Sequence, residues 1–183
     1  MWSVKSSSYP LKDRWISVRA DDCVTRSGVE LKPYYTFDYP DFVHVLAVTP
    51  DRKVVLIRQY RHGFGADVIE LPGGMMDKAD ASIVAAGLRE LREETGFTTH
   101  IASAMTPLSI DPAKFRNRLH LVLAYDAAPS NAQDLDAGED IEVIQASIPE
   151  CLEMIRSGRF INAAHIGLLM LGLDRLDYLS LGA

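Results

Sequence analysis

Glu90, Glu93 and Glu94 are spaced so that a helix brings all three carboxylates to one surface, Glu90 and Glu94 a turn apart and Glu93 beside them. At roughly 6 Å in an effective dielectric of about 20, two such charges repel by about 3 kcal/mol before salt screens them. A divalent cation converts that repulsion into binding. A donor set of oxygens, without His or Cys, favours Mg2+ or Mn2+ over Zn2+. Acidic helix faces are more often solvated surface than ligand sets, so the neighbouring residues decide. Arg89 stands four residues before Glu93, the spacing of a helical ion pair that orients that carboxylate. Gly96, followed by apolar Phe97, is placed to end the helix in a left-handed cap. Val84, Leu88 and Leu91 form an apolar stripe that seats the opposite side on a core. The carboxylates are therefore expected on a rigid element, behind a glycine turn at Glu70-Leu71-Pro72-Gly73-Gly74.

The helix that carries them is expected from about Ser82 to Thr95, with Ser82 or Asp80 as N-cap. Before it, Phe42 to Thr49 and Lys53 to Gln59 read as strands joined by a proline-led turn, and Trp15 to Arg19 and Tyr34 to Phe37 as shorter ones. After it come strands near Ile101 to Leu108, Arg118 to Tyr125 and Ile141 to Ala146, then helices at Pro149 to Ser157 and Ile161 to about Leu176. Strands interleaved with helices give an α/β fold. Residues 1–40 are expected to form an N-terminal strand subdomain and 41–183 the main domain. A strand pair without its own core tends to be covered, so these strands, with the apolar C-terminal helix, are expected to supply a homodimer contact. Arg58 and Arg61 flank an apolar strand near the glycine turn, where guanidinium groups could grip a diphosphate. Asn131 to Gly138 is a polar, acidic loop of the kind that moves over a site. His120, His165, Tyr34, Tyr35 and Phe42 are expected to be structural rather than catalytic, His165 either packed or at a subunit contact.

The chain of 183 residues, 48% hydrophobic, is long enough for one domain with a sizeable core. Its net charge of −6 argues against a broad nucleic-acid or anionic-membrane surface. Cys23 and Cys151 lack any metal or redox spacing and read as reduced core thiols. With no apolar leader at the amino terminus and no run long enough to span a bilayer, a cytoplasmic location is expected.

The stretch Arg89 to Phe97 resembles the signature of the Nudix hydrolases, which reads Gly, five residues, Glu, seven residues, then Arg-Glu-(apolar)-x-Glu-Glu-x-Gly-(apolar). The second half matches at every fixed position. The first half departs: with five residues intervening after Gly74, Asp80 stands rather than Glu, and eight residues rather than seven separate Asp80 from Arg89. A one-residue insertion before the helix accounts for both. Arg58-Gln59-Tyr60-Arg61 and Glu70-Leu71-Pro72-Gly73-Gly74 are similar to the ADP-ribose and nucleotide-sugar pyrophosphatase branch, as are Asp111-Pro112-Ala113 and Asn117-Arg118-Leu119-His120. Gly138 to Ile144 resembles a later loop and strand where such enzymes often carry a further catalytic Glu. The resemblance implies an α/β/α sandwich around a mixed sheet and Mg2+- or Mn2+-dependent hydrolysis of ADP-ribose or a related nucleotide sugar. Glu90 and Glu94 are then metal ligands, with Glu93 as a shared third and the Gly74 carbonyl completing the set. Arg89 holds Glu93, Glu139 orients or deprotonates the attacking water, Arg58 and Arg61 bind substrate, and Glu70 contacts metal or substrate. Hydrolysis of modified nucleoside triphosphates, or nucleotide binding without catalysis, are the alternatives.

Overall fold

The computed structural model describes residues 1–179, and the chain separates into two compact units. The first holds Met1–Asp41 together with Leu108–Leu119. Its three-stranded antiparallel sheet has the order β1 (Ser3–Lys12), β2 (Ser17–Val24), β3 (Glu30–Phe37). β2 starts two residues later than expected and runs on to Val24, β3 starts at Glu30 ahead of the expected Tyr34, and β1 was not expected. Every residue of β1 is exposed, so the strand carries no apolar alternation; its pairing with β2 defines it. The buried Asp21 of β2 ties the two together, accepting from Ser7 at 2.6 Å and from Arg19 at 2.7 and 2.8 Å. Within the same unit the rings of Phe37 and Phe115 stack at 5.1 Å.

The second unit begins at Phe42. It contains β4 (Phe42–Val48), β5 (Lys53–Arg61), β6 (Ala66–Glu70), β7 (Gly73–Met75), α1 (Ile83–Thr95), β8 (Phe97–Thr98), β9 (Ile101–Ala104), β10 (Leu119–Tyr125), β11 (Ala128–Pro129), β12 (Ile141–Ser147), α2 (Ile148–Arg156) and α3 (Ala163–Arg175). Seven strands form one sheet in the order β12-β5-β4-β10-β9, with β6 hydrogen-bonded to β5 and β7 to β4. Short β8 and β11 pair separately. β4 explains the layering. Its run Val43-His44-Val45-Leu46-Ala47-Val48 is buried throughout, as a strand covered on both faces must be. Val43, Val45 and Ala47 join Ala86 and Leu91 of α1 in one apolar cluster. The alternate residues face α3: the His44 ring packs tilted against that of His165, and Leu46 lies against Gly172. The fold is thus a mixed α/β sandwich dominated by sheet, with an additional N-terminal strand subdomain. Among the described residues no helix is long and apolar enough to cross a membrane. Both cysteines are free and buried.

Local chemistry sets the helix ends. Ser82 caps α1 by accepting from the Ala85 amide, and Gly96 closes it in the left-handed region at φ 73°, its N–H donating to Arg92 O. α2 starts with a reciprocal Ser147–Glu150 capping box. α3 starts two residues later than expected, because Asn162 is its N-cap. The stripe that seats α1 is also displaced from expectation. Ala86, Gly87 and Leu91 are its buried members, Ile83 and Leu88 are partly buried at the margin, and Val84 is half-buried.

Candidate active site

The turn Glu70–Gly74 and the helix α1 meet edge to edge. Gly73 has φ 149°, and a Cβ there would fall 2.2 Å from Val43 O, so the backbone passes β4 where only glycine fits. This close passage brings the Gly73 N–H to Glu94 Oε2 at 2.6 Å. A Cβ on Gly74 would lie 2.9 Å from both carboxylate oxygens of Glu90. Gly74, Glu90 and Glu94 are therefore adjacent.

Burial controls the charge of the two acids. Desolvation, joined by the charges of Glu90 and Glu139, pushes the Glu94 carboxyl up to about 8 against the restraint of the Gly73 N–H and the Arg61 charge. Glu90 is also raised, chiefly by burial, with Arg89 opposing and Glu93 and Glu139 reinforcing. Glu139 thus lies close enough to both to be felt electrostatically. A nearly enclosed carboxylate met by a backbone amide is short of positive charge.

Arg89 gathers the remaining acids. Its guanidinium contacts Glu93 at 2.9 Å, Glu90 at 2.9 Å and both oxygens of Asp80 at 3.1 Å. Asp80, the residue at which the signature departed from pattern, is held below the usual carboxylate range by this pair. The extra residue is absorbed in an Asp77–Asp80 turn, where Asp77 N–H donates to Asp80 Oδ2 and Ala79 N–H to Asp77 Oδ1. Glu93 accepts from Arg92 as well as from Arg89.

Glu139 sits in a loop docked on the end of α1. Gln133 Nε2 donates to Glu94 O at 2.6 Å and to Ile141 O at 3.0 Å, the Asp134 N–H donates to Glu93 O, and Ser130 and Asn131 donate to Gly96 O. These contacts satisfy helix-terminal carbonyls that would otherwise lack partners. Nothing in the sequence singled out Gln133, since its partners are main-chain atoms remote in sequence.

The two arginines expected to act together are separated. Gln59 and Arg61 alternate on the face of β5 that meets Glu70, and Arg61 forms two bonds to Glu70 Oε2, at 2.8 and 2.7 Å. Arg58, on the opposite face, pairs with its exposed cross-strand neighbour Glu142 at 2.9 Å. Glu70 is buried and also accepts from Asn162 Nδ2 at 2.7 Å.

Beneath the turn lie two buried histidines, His44 and His165, with ring centroids 4.1 Å apart. His165 is structural, as expected: its Nδ1 accepts the Leu71 N–H at 3.0 Å. Burial lowers both imidazoles to about 3; His165 and Arg61 lower His44 further while Glu70 opposes, and Arg61 also lowers His165. The unfolded chain takes up these protons near pH 6.5 and the folded chain does not, so this contribution to stability is present above 6.5 and is lost as pH falls toward 3. Between pH 6.5 and about 5 the loss is about 2 kcal/mol per imidazole. The stability advantage of wild type over His165→Asn is accordingly expected to shrink by about that amount over this interval in urea titrations. A difference independent of pH would refute neutral burial of His165.

The donor chemistry fits a hard divalent cation. All the candidate ligands are oxygens, two of them desolvated acids beside a glycine backbone. Among the described residues no cluster of three metal-binding side chains is assembled, and Arg89 lies on Glu90 in this arrangement, so holding a cation requires Glu90 to turn from the guanidinium.

Residues 38–155 match the NUDIX domain, and residues 2–37 match the nucleoside diphosphate sugar hydrolase N-terminal domain. The chain is 29% identical over 147 residues to the methanol dehydrogenase activator of Bacillus methanolicus, covering 80% of this chain and 78% of that protein. It is 30% identical over 120 residues to the ADP-ribose pyrophosphatase of Bacillus subtilis, covering 65% and 64%. A crystal structure of an ADP compounds hydrolase superposes with a TM-score of 0.84 at 22% identity over 97% of both chains, which shows a shared fold. With a NUDIX match over most of its length, the chain belongs to the Nudix hydrolase family, as a pyrophosphohydrolase related to the ADP-ribose and nucleotide-sugar pyrophosphatases.

Proposed function

We propose that the enzyme hydrolyses the diphosphate bond of ADP-ribose or a related nucleotide sugar to two monophosphates, with Mg2+ or Mn2+ as cofactor. The observation that supports this substrate class is the match of residues 2–37 to a domain described for nucleoside diphosphate sugar hydrolases, joined to an intact Arg89–Phe97 helix. Glu90, Glu94 and the Gly74 carbonyl would hold the cation, with Glu93 as a further acid beside them. When bound, the cation neutralises diphosphate charge and acidifies water.

The chain's own groups supply the rest. Arg61 gives two donors to Glu70, and with nearly half its side chain exposed (46%) its other N–H groups can meet a phosphate oxygen. Arg58 remains available only from the opposite face of β5. Arg89 fixes Glu93 between itself and Arg92. Glu139 takes the proton of the attacking water as the bond from phosphorus to the bridging oxygen breaks, and Gln133 and Asp134 hold its loop to α1.

A panel of ADP-ribose, other nucleotide sugars and nucleoside triphosphates tests the substrate class. The kcat/KM for ADP-ribose or a nucleotide sugar is expected to exceed that for any triphosphate by about a hundredfold. The reverse order would assign the enzyme to modified triphosphates instead.

The assembly is proposed to be a homodimer. β1 is an edge strand exposed at all positions, and Trp2, Val4, Tyr9, Leu11 and Trp15 leave apolar surface on or beside it. Light scattering at micromolar concentration is expected to give twice the chain mass; a monomer mass removes the proposal.

A further inference from the structure

We propose that Asn162 and His165, at the start of the C-terminal helix α3, are positioning residues that hold the turn Glu70–Gly74 in register with Glu94. This rests on the reading of Gly74, Glu90 and Glu94 as cation ligands. α3 lies beyond residues 38–155, the segment that matches the NUDIX domain.

The turn leaves β6 at Glu70 and enters β7 at Gly73, so between them its backbone polar groups have no ladder partners. Three backbone groups at the turn are met by three different elements. The Leu71 N–H goes to His165 Nδ1 on α3 at 3.0 Å, Pro72 O accepts from the Val45 N–H of β4 at 2.8 Å, and the Gly73 N–H reaches Glu94 on α1 at 2.6 Å. The turn is thereby pinned from three sides, and the α1 contact is to a proposed ligand itself. Any shift of Leu71 toward or away from α3 is carried through Pro72 to the amide that fixes Glu94.

Asn162 uses both halves of its amide. Its Oδ1 caps α3, accepting from Ala164 at 3.2 Å and His165 at 3.4 Å, while its Nδ2 donates to Glu70 Oε1 at 2.7 Å. An Asp there would still cap the helix but would set a carboxylate against Glu70. His44 completes the support: its ring packs tilted against that of His165, and its Nδ1 lies 2.7 Å from where a Cβ of Gly73 would stand. The imidazole pair therefore fills the space under the turn and prevents it from settling away from α1.

The test compares Mn2+ affinity, read from the EPR signal of free Mn2+, with melting temperature in chelator, for four variants of the full chain. His165→Leu removes the acceptor for Leu71, His165→Asn keeps an acceptor near the Nδ1 position, Asn162→Asp preserves the cap, and Leu169→Ala truncates a buried residue of the same helix away from the turn. His165→Leu and Asn162→Asp are expected to weaken Mn2+ binding about tenfold or more, in line with supports of ligating groups elsewhere. His165→Asn should restore it to within about threefold, and Leu169→Ala should lower the melting temperature while leaving Mn2+ affinity within about twofold. Wild-type affinity in both His165→Leu and Asn162→Asp, or an equal loss in Leu169→Ala, overturns the positioning role and leaves the ligand assignment standing. Should His165→Leu fail to fold, Asn162→Asp carries the test alone. Absence of Mn2+ binding in wild type overturns the ligand assignment and this inference with it.

Discussion

Glu94→Gln is expected to lower kcat/KM by about a thousandfold or more while making the metal-free protein more stable at neutral pH. The first effect follows from removing a charged donor where the site holds its cation. The second follows from burial. Folded Glu94 ionises near pH 8 and its unfolded counterpart near 4.5, so the acid's contribution is fully present below 4.5 and is lost as pH rises through 8. Glutamine carries no such dependence and can still accept the Gly73 N–H. In chelator the variant should match wild type near pH 4.5 and exceed it by about 2 kcal/mol or more at pH 7. Glu90→Gln should lose comparable activity. Folded variants of Glu90 or Glu94 with wild-type turnover would remove both residues from the site.

Alanine at the two adjacent glycines is expected to give opposite failures. Gly73→Ala forces a Cβ to within 2.2 Å of Val43 O, a main-chain atom inside the central sheet, at a φ of 149° that alanine rarely adopts. Nothing soft can yield, so a loss of about 3 kcal/mol or more is expected, a drop of about 10 °C in melting temperature. Gly74→Ala meets the carboxylate of Glu90 at 2.9 Å, the end of a side chain that can swing away. Its melting temperature should fall by only about 2 °C or less, while the displaced Glu90 costs about a hundredfold in activity. Equal stability losses in the two variants, measured in chelator, would contradict this reading of the turn.

The contrast between these neighbours shows which parts of the fold could be read from the chain. α1 was legible because its cap, charge spacing and left-handed exit are local: Ser82, Arg89 with Glu93, and Gly96 all act within a turn or two. β4 and β10 were legible as apolar runs, since strands buried on both faces need little else. β1 was not, because an exposed strand takes its conformation from its partner. The support of the site was equally hidden. His165 and Asn162 reach Leu71 and Glu70 across more than ninety residues, and no spacing rule connects them. Arg58 and Arg61, both read as substrate-binding, part for a simpler reason: three residues apart on a strand, they face opposite ways. Asp80 was visible as an N-cap candidate and as a departure from the signature, whereas in space it shares Arg89 with Glu93.

Phosphorus NMR of ADP-ribose incubated with the enzyme and Mg2+ tests the central claim most directly. The two diphosphate resonances are expected to be replaced by two monophosphate resonances in equal amounts, with the conversion stopped by chelator and slowed about a thousandfold in Glu94→Gln. Release of inorganic phosphate or pyrophosphate, or conversion at wild-type rate by folded Glu94→Gln, would contradict it.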